Sequence, residues 1–179
     1  RQVERFVTGA DYRLLVVGGR VVAAARRRPP AVTGDGYLSV KQLADRVNED
    51  PRRCGDHATS LSPVILDDVA LAVLDEQGLT PESIPEDGRV VLLRQNANLS
   101  TGGTSEDVTD QVHPEVAARA VEAARIIGLD VAGIDIVTSD ITQPLESQRG
   151  VVIEVNAGPG LRMHLEPTVG TPRNVGEAI

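Results

Sequence analysis

Two carboxylates and an amide offer the sharpest chemistry in this chain. Gly133-Ile134-Asp135 sets an acidic side chain in the middle of an apolar run, and Val151-Val152-Ile153-Glu154-Val155-Asn156 carries Glu154 and Asn156 two residues apart. In an extended chain, residues i and i+2 share a face. If the two runs pair as strands, the oxygens of Asp135, Glu154 and Asn156 converge on one patch. Mg²⁺ takes hard oxygen ligands, commonly one or two carboxylates with phosphate oxygens beside them, so the set suits it. The spacing leaves open that all three face solvent on the outer side of a sheet. A second cluster is Asn98-Leu99-Ser100-Thr101-Gly102-Gly103, preceded by Arg94. Adjacent glycines let backbone N–H groups approach an anion and the hydroxyls of Ser100 and Thr101 add donors, although a plain surface turn reads the same way. Arg162 and His164 follow the Pro159-Gly160 turn and could touch a substrate or support the turn from behind.

Regular elements are needed to position these groups. Asp11 to Val17, the Gly18-Gly19 pair and Val21 to Ala25 predict a β-hairpin, with Asp11 and Arg13 on one face. Ser39 can cap a short helix with Val40, Leu43, Ala44 and Val47 on one stripe, and a second helix is expected from Pro63 or Val64 to Gly78. Asn48 to Ser62 reads as a polar loop. Val90 to Arg94 predicts a strand and Asp110 to Gly128 a helix, with Pro114 near its start and Gly128 as its stop. Two strands, Val131 to Thr138 and Val151 to Asn156, complete the pattern. The expected architecture is α+β, a mostly antiparallel sheet packed with helices. Residues 1–28 and 89–179 are expected to form the main lobe, and 29–88 a helical, lid-like insertion too thin in apolar residues to fold alone.

Composition narrows the classes of function. The 179 residues are 41% hydrophobic but only 2% aromatic, with no Trp, so stacking on nucleic-acid bases has little to work with. Eighteen basic residues against 26 acidic ones give a net charge of -8, which argues against a dedicated nucleic-acid binder. The basic triplet Arg26-Arg27-Arg28 reads equally as a solvated strand end or as a phosphate or acidic-substrate contact. The single cysteine, Cys54, can make neither an internal disulfide nor a multi-cysteine metal site, which suits a cytoplasmic protein. No apolar run reaches the roughly 20 residues of a membrane helix.

The strand ending in Glu154-Val155-Asn156, followed by Ala157-Gly158-Pro159-Gly160, resembles the metal-binding signature of ATP-grasp ligases. Val3-Glu4-Arg5-Phe6-Val7-Thr8-Gly9-Ala10-Asp11 looks like their hinge. By that resemblance Glu4 and Val7 flank the adenine, Asp11 accepts from the ribose hydroxyls and Arg13 reaches the phosphates. The resemblance narrows to the cyanophycin synthetases. It is carried by Val32-x-Gly34-Asp35-Gly36, Asn48-x-Asp50-Pro51-Arg52-Arg53, the Asn96 to Gly103 loop, Asp107-Val108-Thr109-Asp110, His113-Pro114 and Arg162-Met163-His164-Leu165. It implies the C-terminal lobe of an ATP-grasp domain that uses ATP and Mg²⁺ to form an amide through an acyl phosphate, polymerising aspartate and arginine. Arg94, Asn98, Gly102 and Gly103 would grip the acyl phosphate or substrate carboxylate, and Asp135, Glu154 and Asn156 the metal. The expected partners are aspartate, arginine and the growing polypeptide, in a homo-oligomeric parent without nucleic acid or membrane. Alternatives are a ligase of the glutathione-synthesising or glutamate-ligating type, or a nucleotide-binding module. The chain reads as a fragment of a longer enzyme. Lone Lys41 does not replace phosphate-gripping lysines, so the fragment alone is expected to be inactive.

Overall fold

The computed structural model describes residues 7–53 and 60–179. Strands β1 (Ala10–Val17) and β2 (Arg20–Arg28) form the expected hairpin. Both turn glycines have positive φ, 56° at Gly18 and 72° at Gly19, which matches the right-handed twist of the flanking strands. The ladder slips by one residue between Leu15 and Val16, leaving Val22 as a bulge, so that Asp11 lies opposite Arg27. β6 (Val131–Thr138) pairs antiparallel with β1, and β7 (Val151–Asn156) with β6. A short strand, β5 (Thr104–Asp107), joins the far side of β2, giving the order β5-β2-β1-β6-β7.

The two faces of this sheet differ because its strands alternate. Leu14, Val16, Ile134 and Ile136 face helix α3 (Pro114–Ile127), whose Val116, Ala120 and Ala124 are buried against them. His113 caps that helix by accepting the Glu115 N–H, and Gly128 ends it in the left-handed conformation at φ 80°. On the opposite face Leu15, Val17 and Ala23 pack under Leu161, Val175 and Ala178 of the C-terminal segment, which includes helix α4 (Arg162–Leu165). Arg173 ties that segment to the sheet edge through Asp107, at 2.6 Å, and Asp110.

Arg28–Thr104 form a second compact unit, apart from the residues up to Arg27 and Ser105–Ile179. This corrects the expected return to the main lobe at Arg89. Strand β4 (Val90–Leu92) pairs with β3 (Ala31–Thr33), and Val91 and Leu93 complete a core with Val32, Val40, Leu43, Ala44, Val64 and Leu74. The insertion therefore has an apolar core of its own and is not purely helical. Helix α1 (Val40–Asn48) starts at Ser39 as expected, with a capping box closed by Gln42. Helix α2 (Asp68–Glu76) starts later than predicted. Asn48 holds the backbone N–H and C=O of Val64, each at 2.8 Å, and Asp67 caps the helix by accepting from Val69 and Ala70. No helix among the described residues is long and apolar enough to cross a membrane.

Ile134 is fully buried between β1 and α3. Ile134→Ala is expected to cost about 2–5 kcal/mol of stability, read by urea unfolding.

Candidate functional site

One face of the sheet carries a cluster of charge. Arg13 and Asp135 are directly opposite on β1 and β6, and Glu154 follows opposite Asp135 on β7. Gly133 and Asn156 pair one step along, so Asp135, Glu154 and Asn156 share a face. Asp135 is not free, however. Arg13 holds both its oxygens, through Nε to Oδ1 and through Nη2 to Oδ2 at 3.0 Å. Arg27 reaches across β1 to Asp135 Oδ2 at 3.0 Å while binding Asp11 Oδ1 through Nη2 at 2.6 Å and Nε at 2.8 Å. Arg13, Arg27 and Asp135 are all buried, so each charge needs these partners. Burial pushes the Asp11 carboxyl above the usual range, with Arg27 working against the shift.

Gly133 makes this packing possible. A Cβ there would stand 2.7 Å from Pro159 Cβ and 3.1 Å from Arg13 Cδ. The bare strand lets the arginine lie across β6 beneath the turn that follows Asn156.

The donor set fits a hard divalent cation in part. Glu154 is exposed and makes no ion pair among the described residues, and Asn156 spends only Nδ2, on Gly133 O at 3.4 Å. Asp135 would join them only by releasing an arginine. No group of three His, Cys, Asp or Glu side chains that could hold a metal occurs among the described residues. Asn156 is what completes the patch.

The second cluster lies in the other unit and is braced differently from the expectation. Both glycine N–H groups already donate inside the loop, Gly102 to Leu99 O and Gly103 to Asn98 O, each at 3.1 Å. Gly102 has φ 98°, and a Cβ on Gly103 would stand 2.7 Å from Asn98 O. The glycines thus serve tight packing rather than presenting donors. Thr101 Oγ1 donates to Asn98 O at 3.0 Å, which leaves the Ser100 hydroxyl and the Asn98 amide as the outward polar groups. Arg94 is buried and bound to Asp67 at 2.7 Å, and Arg53 is buried with Nη1 on Gly102 O at 3.0 Å. Both guanidinium groups are buried and hydrogen-bonded within this unit.

Four other candidates remain, Glu4, Val7, Arg162 and His164. Val7 lines a pocket of about 380 Å³ with Thr8, Ser139 and Arg149, while Glu4 lies outside the described residues, as do Cys54 and His57. Arg162 is exposed, whereas His164 is 2% exposed with Nε2 lacking a hydrogen-bond partner. Burial, reinforced by the charge of Arg13, holds its imidazole down to about 4. Arg27 is the site residue that sequence reasoning left unassigned. The triplet gave a basic cluster, but only the bulged register shows which arginine meets Asp11.

Residues 87–174 match the RimK-like ATP-grasp domain. A bifunctional glutathione synthetase from Pasteurella multocida superposes with a TM-score of 0.77 at 36% identity, over 96% of this chain and 23% of that one. The fold is an ATP-grasp fold. Among curated proteins, this ATP-grasp chain is 48% identical over 177 residues to the cyanophycin synthetase of Synechocystis sp. and 50% identical to that of Crocosphaera subtropica. It is 36% identical to the glutathione biosynthesis bifunctional protein of Clostridium perfringens. The matches take in 99% of this chain but only 20% of each cyanophycin synthetase, so the chain spans about a fifth of those relatives.

The neutral, buried His164 has a consequence for stability in this ATP-grasp lobe. Its folded value of about 4 lies below the ordinary 6.5. The unfolded chain therefore takes up a proton first, and stability is expected to fall as pH drops from about 6.5 to about 4. Carboxylates add their own slope near the lower end. Urea unfolding at several pH values should show a shallower loss in His164→Asn than in the parent.

Proposed function

We propose that this chain is the nucleotide- and metal-binding part of an ATP-dependent carboxylate–amine ligase that polymerises aspartate and arginine into cyanophycin. The observation that carries the reading is 48% identity to a cyanophycin synthetase over almost the whole chain, loop cluster included. In this reading a chain-end carboxylate attacks the γ-phosphorus of ATP, ADP leaves, and an amine then displaces phosphate from the acyl phosphate. Glu4 and Val7 flank the adenine, and Asp11 accepts from the ribose. Arg13 exchanges Asp135 for phosphate oxygens, where its planar fork suits paired acceptors. Glu154 and Asn156, joined by Asp135 if Arg13 releases it, would hold Mg²⁺, which would supply charge neutralisation at the phosphates. Asn98 and Ser100 face the substrate carboxylate, with Thr101, Gly102 and Gly103 shaping that loop and Arg94 bracing it through Asp67. Arg162 remains a substrate-side candidate, and His164 supports the turn from inside. The parent enzyme works in the cytoplasm as a homo-oligomer.

A glutathione-type ligase is the second reading, favoured by the 36% identity to the Clostridium perfringens protein. Mass spectrometry of products formed by the full-length protein from ATP with aspartate, arginine, glutamate, cysteine and glycine together separates the two. An aspartate–arginine polymer supports the first reading, and its absence beside a small thiol-containing amide supports the second. In the same protein, Glu154→Gln is expected to lower kcat on the order of 100-fold while leaving the unfolding midpoint nearly unchanged. A large loss of stability with turnover intact would mark Glu154 as a structural residue.

A further inference from the structure

Arg27 stands between the carboxylate proposed for the sugar and the one proposed for the metal. Two of its N–H groups converge on a single oxygen, Asp11 Oδ1, and the same Nη2 also reaches Asp135 Oδ2. Asp11 Oδ2 is left without a partner among the described residues, on a side chain that is 35% exposed. An exposed carboxylate would rotate freely between its oxygens. This one is clamped at one oxygen by a guanidinium that is itself anchored across β1. We propose that Arg27 is a positioning residue for sugar recognition. It fixes Asp11 so that Oδ2 alone faces outward to accept a hydrogen bond from a ribose hydroxyl, and so sets the preference for ribonucleotides over deoxyribonucleotides. The inference rests on the nucleotide-binding reading above.

A hydrogen bond from a neutral hydroxyl to a charged acceptor is strong only when the acceptor is already oriented, since orienting it on binding offsets part of the gain. Arg27 removes that cost. Lysine at this position keeps the charge but cannot place two donors on one oxygen while reaching Asp135.

The test is equilibrium binding of Mg-ATP, Mg-2′-deoxyATP and Mg-3′-deoxyATP to the full-length protein by isothermal titration calorimetry, with circular dichroism to confirm folding. The parent is expected to bind ATP on the order of tenfold more tightly than at least one deoxy analogue. In Arg27→Gln that ratio should collapse to within about twofold, with Arg27→Lys intermediate. In an Asp11→Asn background, Arg27→Gln should change the ratio no further, because Arg27 acts through Asp11. A folded Arg27→Gln protein that keeps the parental ratio, or that weakens all three nucleotides by one common factor, overturns the inference. If Arg27→Gln does not fold, an undiminished ratio in Arg27→Lys overturns it equally. A parent that binds all three nucleotides alike overturns this inference alone. A parent that binds none of them overturns the nucleotide-binding reading as well.

Discussion

Three buried charges and a fourth, half-buried one on the same face of the sheet impose the strictest constraint in the structure. Asp11, Arg13, Arg27 and Asp135 alternate in sign and sum to zero. An unpaired buried charge costs several kcal/mol, so Arg13, Arg27 and Asp135 each depend on their neighbours. The cluster spans β2, β1 and β6 and forms only when these strands are adjacent and in register. It also favours glycine at 133, where a Cβ would stand 2.7 Å from Pro159 Cβ and crowd Arg13.

The same pairing shapes the chemistry. In the proposed ligase the site receives a polyphosphate and a cation, and so has both to attract and to let go. Arg13 and Asp135 neutralise one another in the free protein, and each is the natural partner of an incoming group, phosphate for the guanidinium and metal for the carboxylate. In that proposal, binding would be an exchange of partners rather than a fresh desolvation of two bare ions. Glu154 and Asn156, on the outer strand, are spared that exchange.

Local signals carried much of the architecture into view. The Gly18-Gly19 turn, the Ser39 cap and Gly128 stop each act through residues within a few positions, and the elements they bound lie where the pattern puts them. Elements made by distant partners were illegible. β3 is three residues long and exists because Val91 lies opposite Val32, and β5 exists through its place beside β2. The candidate site divides the same way. The shared face of Asp135, Glu154 and Asn156 follows from period-two geometry and the pairing of two neighbouring strands. The engagement of Asp135 with two arginines follows from a third strand and a bulge, which no spacing in the sequence announces. The loop glycines were visible as glycines, but their role in close packing needed the backbone oxygens around them.

The bulge at Val22 gives the arginine triplet a meaning beyond its charge. An unbulged ladder from the same turn would set Arg26 opposite Asp11, the observed one sets Arg27 there, and a slip one step further would bring Arg28. Each alternative still delivers a guanidinium to the carboxylate, because residues paired across a ladder share a face. Three consecutive arginines therefore buffer the charge cluster against gain or loss of a single residue in β2. Such a strand can change length over evolutionary time, or be shortened at Val22 by design, without leaving Asp11 stranded beside an apolar neighbour.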